Sequence, residues 1–235
     1  MKKTINLYRS KDQVVNDAFD RAIVNIYVKR EKYGYKSFVL CGSEAGVGTT
    51  SIAVEMAIAL SVAGWKTLLI DGDLRKDADY KRLNQEVEMG LTDYVQEQVS
   101  KESIIYETNW PSLEYIPCGL DETESPVRVL CSVKMEKLMA ELKEKYDYII
   151  IDTPSINSLV DGQIFATKAD ATMLVAAMNS SSKKNLAEAK KKFAAAGANV
   201  IGVIENMIEV DEYKKYIKDF DYFKKQKYVK KVKVQ

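Results

Sequence analysis

Three short apolar runs that stop abruptly at glycine or aspartate limit the folds open to this chain. Phe38-Val39-Leu40-Cys41 runs into Gly42, Leu68-Leu69-Ile70 into Asp71-Gly72-Asp73, and Tyr148-Ile149-Ile150-Ile151 into Asp152-Thr153-Pro154. Apolar residues in unbroken succession make a strand buried on both faces, the kind found in parallel sheets covered by helices. One aspartate behind such a strand is commonplace. Three small or acidic strand ends in one chain indicate a sheet whose carboxyl edge has been kept for a ligand.

The segments between these runs are helical in pattern. Residues 12–32 place Val15, Ala18, Phe19, Ala22, Ile23 and Ile26 at three-to-four spacing, and Ile52, Met56, Ala59 and Leu60 mark a second helix ending near Gly64. Strands are predicted at 35–41, 66–71, 113–117, 148–151, 171–177 and 200–206, and later helices at 135–145, 159–168 and 183–196. Between Arg75 and Pro126 the pattern weakens, with short helices expected near 80–85 and 92–98. Such alternation predicts an α/β fold, a mostly parallel sheet flanked by helices on both faces. In a chain of 235 residues it suggests one domain over 1–210 and a basic tyrosine-containing tail over 211–235.

Composition closes off several chemistries. There is no histidine, which removes histidine general bases and the commonest transition-metal ligand. Cys41, Cys118 and Cys131 stand far apart without metal or disulfide spacing, and Cys41 reads as a small core residue. No apolar stretch approaches the ~18 residues of a membrane helix, and MKKTINLYRSKDQ lacks the apolar core of a signal peptide, so the expected location is cytoplasmic. Net charge is +1, yet residues 211–235 hold nine lysines against four acids. A tail of that kind suits acidic lipid, an acidic protein face or, as a less favoured partner, nucleic acid.

The loop after the first run is GSEAGVGTTS, residues 42–51. A glycine-rich turn between strand and helix presents backbone amides and the positive helix end to an anion, with a hydroxyl placed to hold Mg²⁺. Gly46, Val47, Gly48, Thr49, Thr50 and Ser51 are therefore the candidate phosphate-binding residues. The pair Asp71 and Asp73 can hold a metal through water and accept a proton from an incoming hydroxyl, and Asp152 suits the surroundings of the same metal.

In this order the pieces resemble the bacterial tyrosine kinase family, the cytoplasmic kinases of capsule and exopolysaccharide export, within the deviant P-loop ATPases. The likeness spans about 15–225 and is most specific in LLIDGDLRK; SPVRVLCSVKMEKLMAELKEKYDYIIIDTP, LVDGQIFATKADATMLVAA and NVIGVIENM extend it, with Asp161 and Asn206 at matching positions. The resemblance implies ATP or ADP with Mg²⁺ as cofactors. Thr50, Asp71 and Asp152 would attend the metal, Asp71, Asp73 and Asp152 would be catalytic, and Asn206 would contact adenine. It also implies Tyr213, Tyr216, Tyr222 and Tyr228 as phosphoacceptors, a membrane-protein activator, and peripheral placement at the membrane through that partner.

Three departures stand out. Thr49 occupies the position of the family's catalytic lysine, and Glu44 that of the additional lysine of the partitioning ATPases. On the first helix Asp17 keeps the acid of the family's ring-assembly motif, while Asp20 and Ile23 replace its two arginines, so a monomer or homodimer is expected. A lysine about 4 Å from a phosphate oxygen contributes about 4 kcal/mol at an effective dielectric near 20. Its loss slows transfer on the order of 10³-fold if that interaction belongs to the transition state. Arg75, Lys76, Lys183 and Lys184 are candidate replacements.

Besides a purely structural relic that binds no nucleotide, three readings remain open on sequence grounds. One is a kinase-like domain with weakened or lost phosphoryl transfer; another is an active kinase with a relocated cation. The third is a positioning protein of the septum-site or pilus-localisation type acting by nucleotide-linked dimerisation. Tyr213 and Tyr216 fall at helical spacing with Ile217, Phe220 and Phe223, which fits packing as well as phosphorylation, whereas Tyr222 and Tyr228 lie off that stripe.

Overall fold

Strands and helices alternate as the apolar pattern predicts. The computed structural model describes residues 4–74, 87–96, 99–119, 125–178 and 180–216. Arg75, Lys76, the helix expected near 80–85, Tyr222 and Tyr228 lie outside the described residues. In chain order the elements are β1 (Thr4–Ile5), α1 (Gln13–Tyr33), β2 (Ser37–Gly42), α2 (Thr49–Val62), β3 (Thr67–Asp71) and α3 (Leu91–Val95). After a 3-10 turn at Lys101–Ile104 come β4 (Tyr106–Thr108), β5 (Leu113–Ile116), α4 (Pro126–Leu130), α5 (Val133–Lys145) and β6 (Tyr148–Thr153). The series ends with α6 (Asp161–Lys168), β7 (Ala171–Ala177), α7 (Lys183–Ala195), β8 (Val200–Asn206) and α8 (Val210–Tyr216).

The eight strands form one sheet in the order β1-β4-β5-β3-β6-β2-β7-β8. Every neighbouring pair is parallel except β4 with β5. Successive side chains of a strand point to opposite faces. Leu40, Leu69, Tyr115 and Ile150 therefore meet α1 and α2 through Phe19, Ile26, Met56 and Leu60. Val39, Ile70, Ile116 and Ile151 meet the other layer through Met135, Leu138, Phe165 and Phe193 of α5, α6 and α7. Cys41 belongs to that second layer; its thiol donates to the Pro154 carbonyl at 3.0 Å, and burial pushes its pKa up to about 12.

Helix limits follow local chemistry. Asp12 caps α1 by accepting the Val14 amide at 2.8 Å, and Gly34, at φ 72°, closes it by donating to the Arg30 carbonyl. Ser132 and Ser182 cap α5 and α7 in the same way. Where the structure differs from the sequence expectation, the elements are short or irregular: α3 spans Leu91–Val95, residues 97 and 98 of the expected helix lie outside the described residues, and β1, β4 and α4 have no counterpart in the apolar pattern. Among the described residues no helix is long and apolar enough to cross a membrane.

Candidate functional site

The loop between β2 and α2 sits near the middle of the sheet, because β2 is flanked by β6 on one side and β7 on the other. Gly46 and Gly48 hold φ of 81° and 83°, backbone that only glycine adopts without strain. Gly48 is the N-cap of α2 and makes no side-chain cap. The first amide past the loop to bond to backbone is that of Ile52, which donates to the Gly48 carbonyl at 3.1 Å. Among the described residues, none of the amides from Glu44 to Ser51 donates to a backbone carbonyl, although Ser43 still donates to Val175. A run of unspent amides at a helix N-terminus is the donor set of a phosphate cradle.

The loop is held from behind. Asn206, at the end of β8, donates to the Val47 carbonyl at 2.8 Å, and its Nδ2 would lie 2.3 Å from a Cβ added to Gly48. Asn157 donates to the Ser43 carbonyl at 2.8 Å and to the Asn185 carbonyl at 3.0 Å. Thr49 turns back over the strand end, where a Cβ on Gly42 would lie 2.8 Å from its Oγ1. Asn157 and Asn185 were not legible as site residues, since a lone asparagine in a loop or at a helix start carries no distinctive spacing.

The carboxylates converge from two adjacent strands. Asp71 and Asp152 are Cα partners in the β3–β6 ladder, and by alternation both share the face of Leu69 and Ile150, the one covered by α2. Asp71 is 1%, Asp152 4% and Asp73 5% exposed. The Asp73 amide donates to Asp71 Oδ1 at 3.0 Å, and the Gly72 amide to the Asp152 carbonyl at 2.7 Å. Tyr115, fully buried on β5, adds a hydrogen bond to the Asp71 side chain. Burial, and then the Asp71 charge, raises the Tyr115 pKa well above the ordinary tyrosine value. Tyr115 was missed in the sequence because strand order, which makes β5 the neighbour of β3, cannot be read from an apolar run. The available signal was a tyrosine inside a buried strand, whose hydroxyl requires a partner.

Mg²⁺ takes oxygen ligands and keeps several waters, so one or two carboxylates and a hydroxyl suffice. Thr50 at the start of α2, with Asp71 and Asp152 on the α2 face, offers that chemistry. The cationic side differs. Glu44 accepts from Asn185 Nδ2 at 2.9 Å, which turns it toward α7. Lys183 and Lys184 are the first two residues of α7 and are exposed, and no ion pair among the described residues involves the loop.

The remaining predicted residues are dispersed. Asp161 is buried at the start of α6, on the opposite layer. Tyr213 lies half-buried on α8, where burial and then the Asp17 carboxylate raise its pKa while Arg21 opposes them. Tyr216 ends α8. On α1, Asp20 pairs with Arg9 at 3.5 Å, and Ile23, 6% exposed, is part of the core.

With this geometry established, known proteins supply a context. The model of the AAA domain family matches residues 36–191. Putative tyrosine-protein kinase CapB of Staphylococcus aureus is 27% identical over 202 residues, which cover 86% of this chain and 88% of that protein. Tyrosine-protein kinase CpsD of Streptococcus agalactiae is 31% identical over 174 residues, covering 74% and 76% of the two chains. Among solved structures, the chimerical protein CapA2B2 matches with a TM-score of 0.78 at 26% identity, covering 84% of this chain and 86% of that one. The septum site-determining protein MinD of Pyrococcus horikoshii, solved with Mg-ADP, shares the fold with a TM-score of 0.59 at 20% identity, covering 77% of each chain. The chain thus belongs to the bacterial tyrosine kinase family of capsule and exopolysaccharide production, within the P-loop ATPases.

Proposed function

We propose that the chain binds adenine nucleotide with Mg²⁺ on the loop of residues 43–51 and transfers phosphate to tyrosine far more slowly than a kinase with a loop lysine. The observation that carries this reading is the unspent row of amides from Glu44 to Ser51 opposite the paired Asp71 and Asp152. Phosphate oxygens meet these amides and the N-terminus of α2, and the Thr50 hydroxyl with Asp71 and Asp152 would hold Mg²⁺. When bound, the metal neutralises charge on the phosphates and orients them. Asp73, placed against Asp71 by its own amide, accepts the proton of an incoming tyrosine hydroxyl. Asn206 borders the loop and reaches the base, and Arg75 follows the aspartates closely enough in sequence to approach the phosphates.

No lysine extends from position 49 toward the outer phosphate, so charge that grows in the transition state is met chiefly by amides and metal, with Arg75 as the one candidate cation beside them. Binding depends on those same groups in the ground state and therefore survives. In this reading Tyr213, Tyr216, Tyr222 and Tyr228 of the 211–235 tail are the acceptors, and residues 1–210 are the single kinase-like domain. Its place is cytoplasmic, at the membrane through a membrane-protein partner, with self-association limited to a dimer because Ile23 is spent in the core. Titration calorimetry with ADP tests the binding claim: saturable binding that strengthens with Mg²⁺ is expected, and absence of binding in Mg²⁺ would overturn it.

A further inference from the structure

Tyr115 stands on β5, and its Cα partner on β3 is Leu69. Two residues further along β3 is Asp71, on the same face of the sheet, so the two side chains are diagonal neighbours across adjacent strands. A tyrosine is long enough to span such a diagonal, and the hydroxyl of Tyr115 bonds to the Asp71 side chain. The ring is wholly buried, in the layer that Leu113 of its own strand shares with α2. A side chain with two rotatable bonds, locked by packing, is a fixed donor. The Asp73 amide supplies a second fixed donor to Asp71 Oδ1, at 3.0 Å.

We propose that Tyr115 is a positioning residue, which with the Asp73 amide holds the Asp71 carboxylate in the single orientation that Mg²⁺ of a bound nucleotide requires. This rests on the Mg²⁺-nucleotide reading above. A carboxylate with one anchored oxygen still swings about its Cβ–Cγ bond; a second donor from the neighbouring strand removes that freedom. Groups of this kind, which orient a metal's ligands without touching the metal, typically account for 10–100-fold in metal affinity. Their importance is greater in a loop that carries threonine at position 49, because the metal and the amides then carry more of the phosphate charge.

Calorimetry with ADP, in excess Mg²⁺ and in EDTA, on the unaltered chain, Tyr115→Phe, Asp71→Asn and the double variant tests the proposal. Phenylalanine fills the same volume, and melting curves in EDTA check that each variant folds. The expected result is an affinity about tenfold lower for Tyr115→Phe in Mg²⁺, an unchanged affinity in EDTA, and no further loss when the substitution is added to Asp71→Asn. Equal affinity in Mg²⁺, an equal loss in both media, or additive losses in the double variant would each overturn the role. Failure of the unaltered chain to show Mg²⁺-strengthened ADP binding would instead overturn the nucleotide reading and this inference with it.

Discussion

At position 48 a single added methyl group would distort the candidate phosphate loop. Gly48 holds φ at 83°, and a Cβ there would come within 2.3 Å of Asn206 Nδ2, displacing the amide that anchors the Val47 carbonyl. Left-handed backbone costs a residue with a Cβ about 1–2 kcal/mol, and the lost hydrogen bond about 1 kcal/mol more. Gly48→Ala should therefore lower ADP affinity by more than tenfold in the calorimeter. An affinity within twofold of the unaltered chain would mean that the loop relaxes without Asn206. The neighbouring Thr49 illustrates the opposite case: its backbone keeps the helix start while its side chain, folded over Gly42, supplies no charge.

Among the elements, the junction of β2, β7 and α5 shows how the sheet is pinned at the end away from the site. Asp170, just before β7, accepts the amides of Lys36 and Ser37 at 2.9 and 2.8 Å, the Ser37 hydroxyl at 2.9 Å and Lys143 Nζ at 2.7 Å. Burial pushes its carboxyl up, but Lys143 and the amides outweigh burial and hold the pKa below the ordinary aspartate value. A folded-state value below the unfolded one stabilises the protein fully above the ordinary 3.8 and ceases to do so as pH falls through the lower folded value. Asp170→Ala should melt a few degrees lower at neutral pH, as about 1–2 kcal/mol of lost hydrogen bonding predicts, with the gap closing below the ordinary aspartate value. A gap that persists unchanged in acid would assign the effect to packing instead. Elements carrying a strong apolar period, such as β6, β7 and α7, were legible to within two residues. Two-residue β1 and three-residue β4 were not, since so short a strand has no period to read and is held by the sheet it joins.

For the molecule as a whole, the site exists only because residues 42–51, 71–73, 115, 152 and 206 meet at one edge of the sheet. The loop and the aspartates were visible in sequence because each ends an apolar run. Tyr115, Asn157 and Asn185 were not, because their value depends on strand order and helix placement. Assembly brings carboxylates and the Thr50 hydroxyl to the side proposed for a metal and free amides to the side proposed for phosphate, while position 49 bears no charge. In the proposed function, the missing cation at position 49 is what chiefly separates binding from catalysis. The most direct test is the rate of phosphotyrosine formation in Mg²⁺-ATP for the unaltered chain beside Thr49→Lys. The expected outcome is a low rate in the former and a gain on the order of 10²–10³-fold in the latter, as about 4 kcal/mol of transition-state charge stabilisation allows. An unaltered chain that labels its tyrosines as fast as Thr49→Lys, with the labelling abolished by Asp73→Asn, would contradict the account.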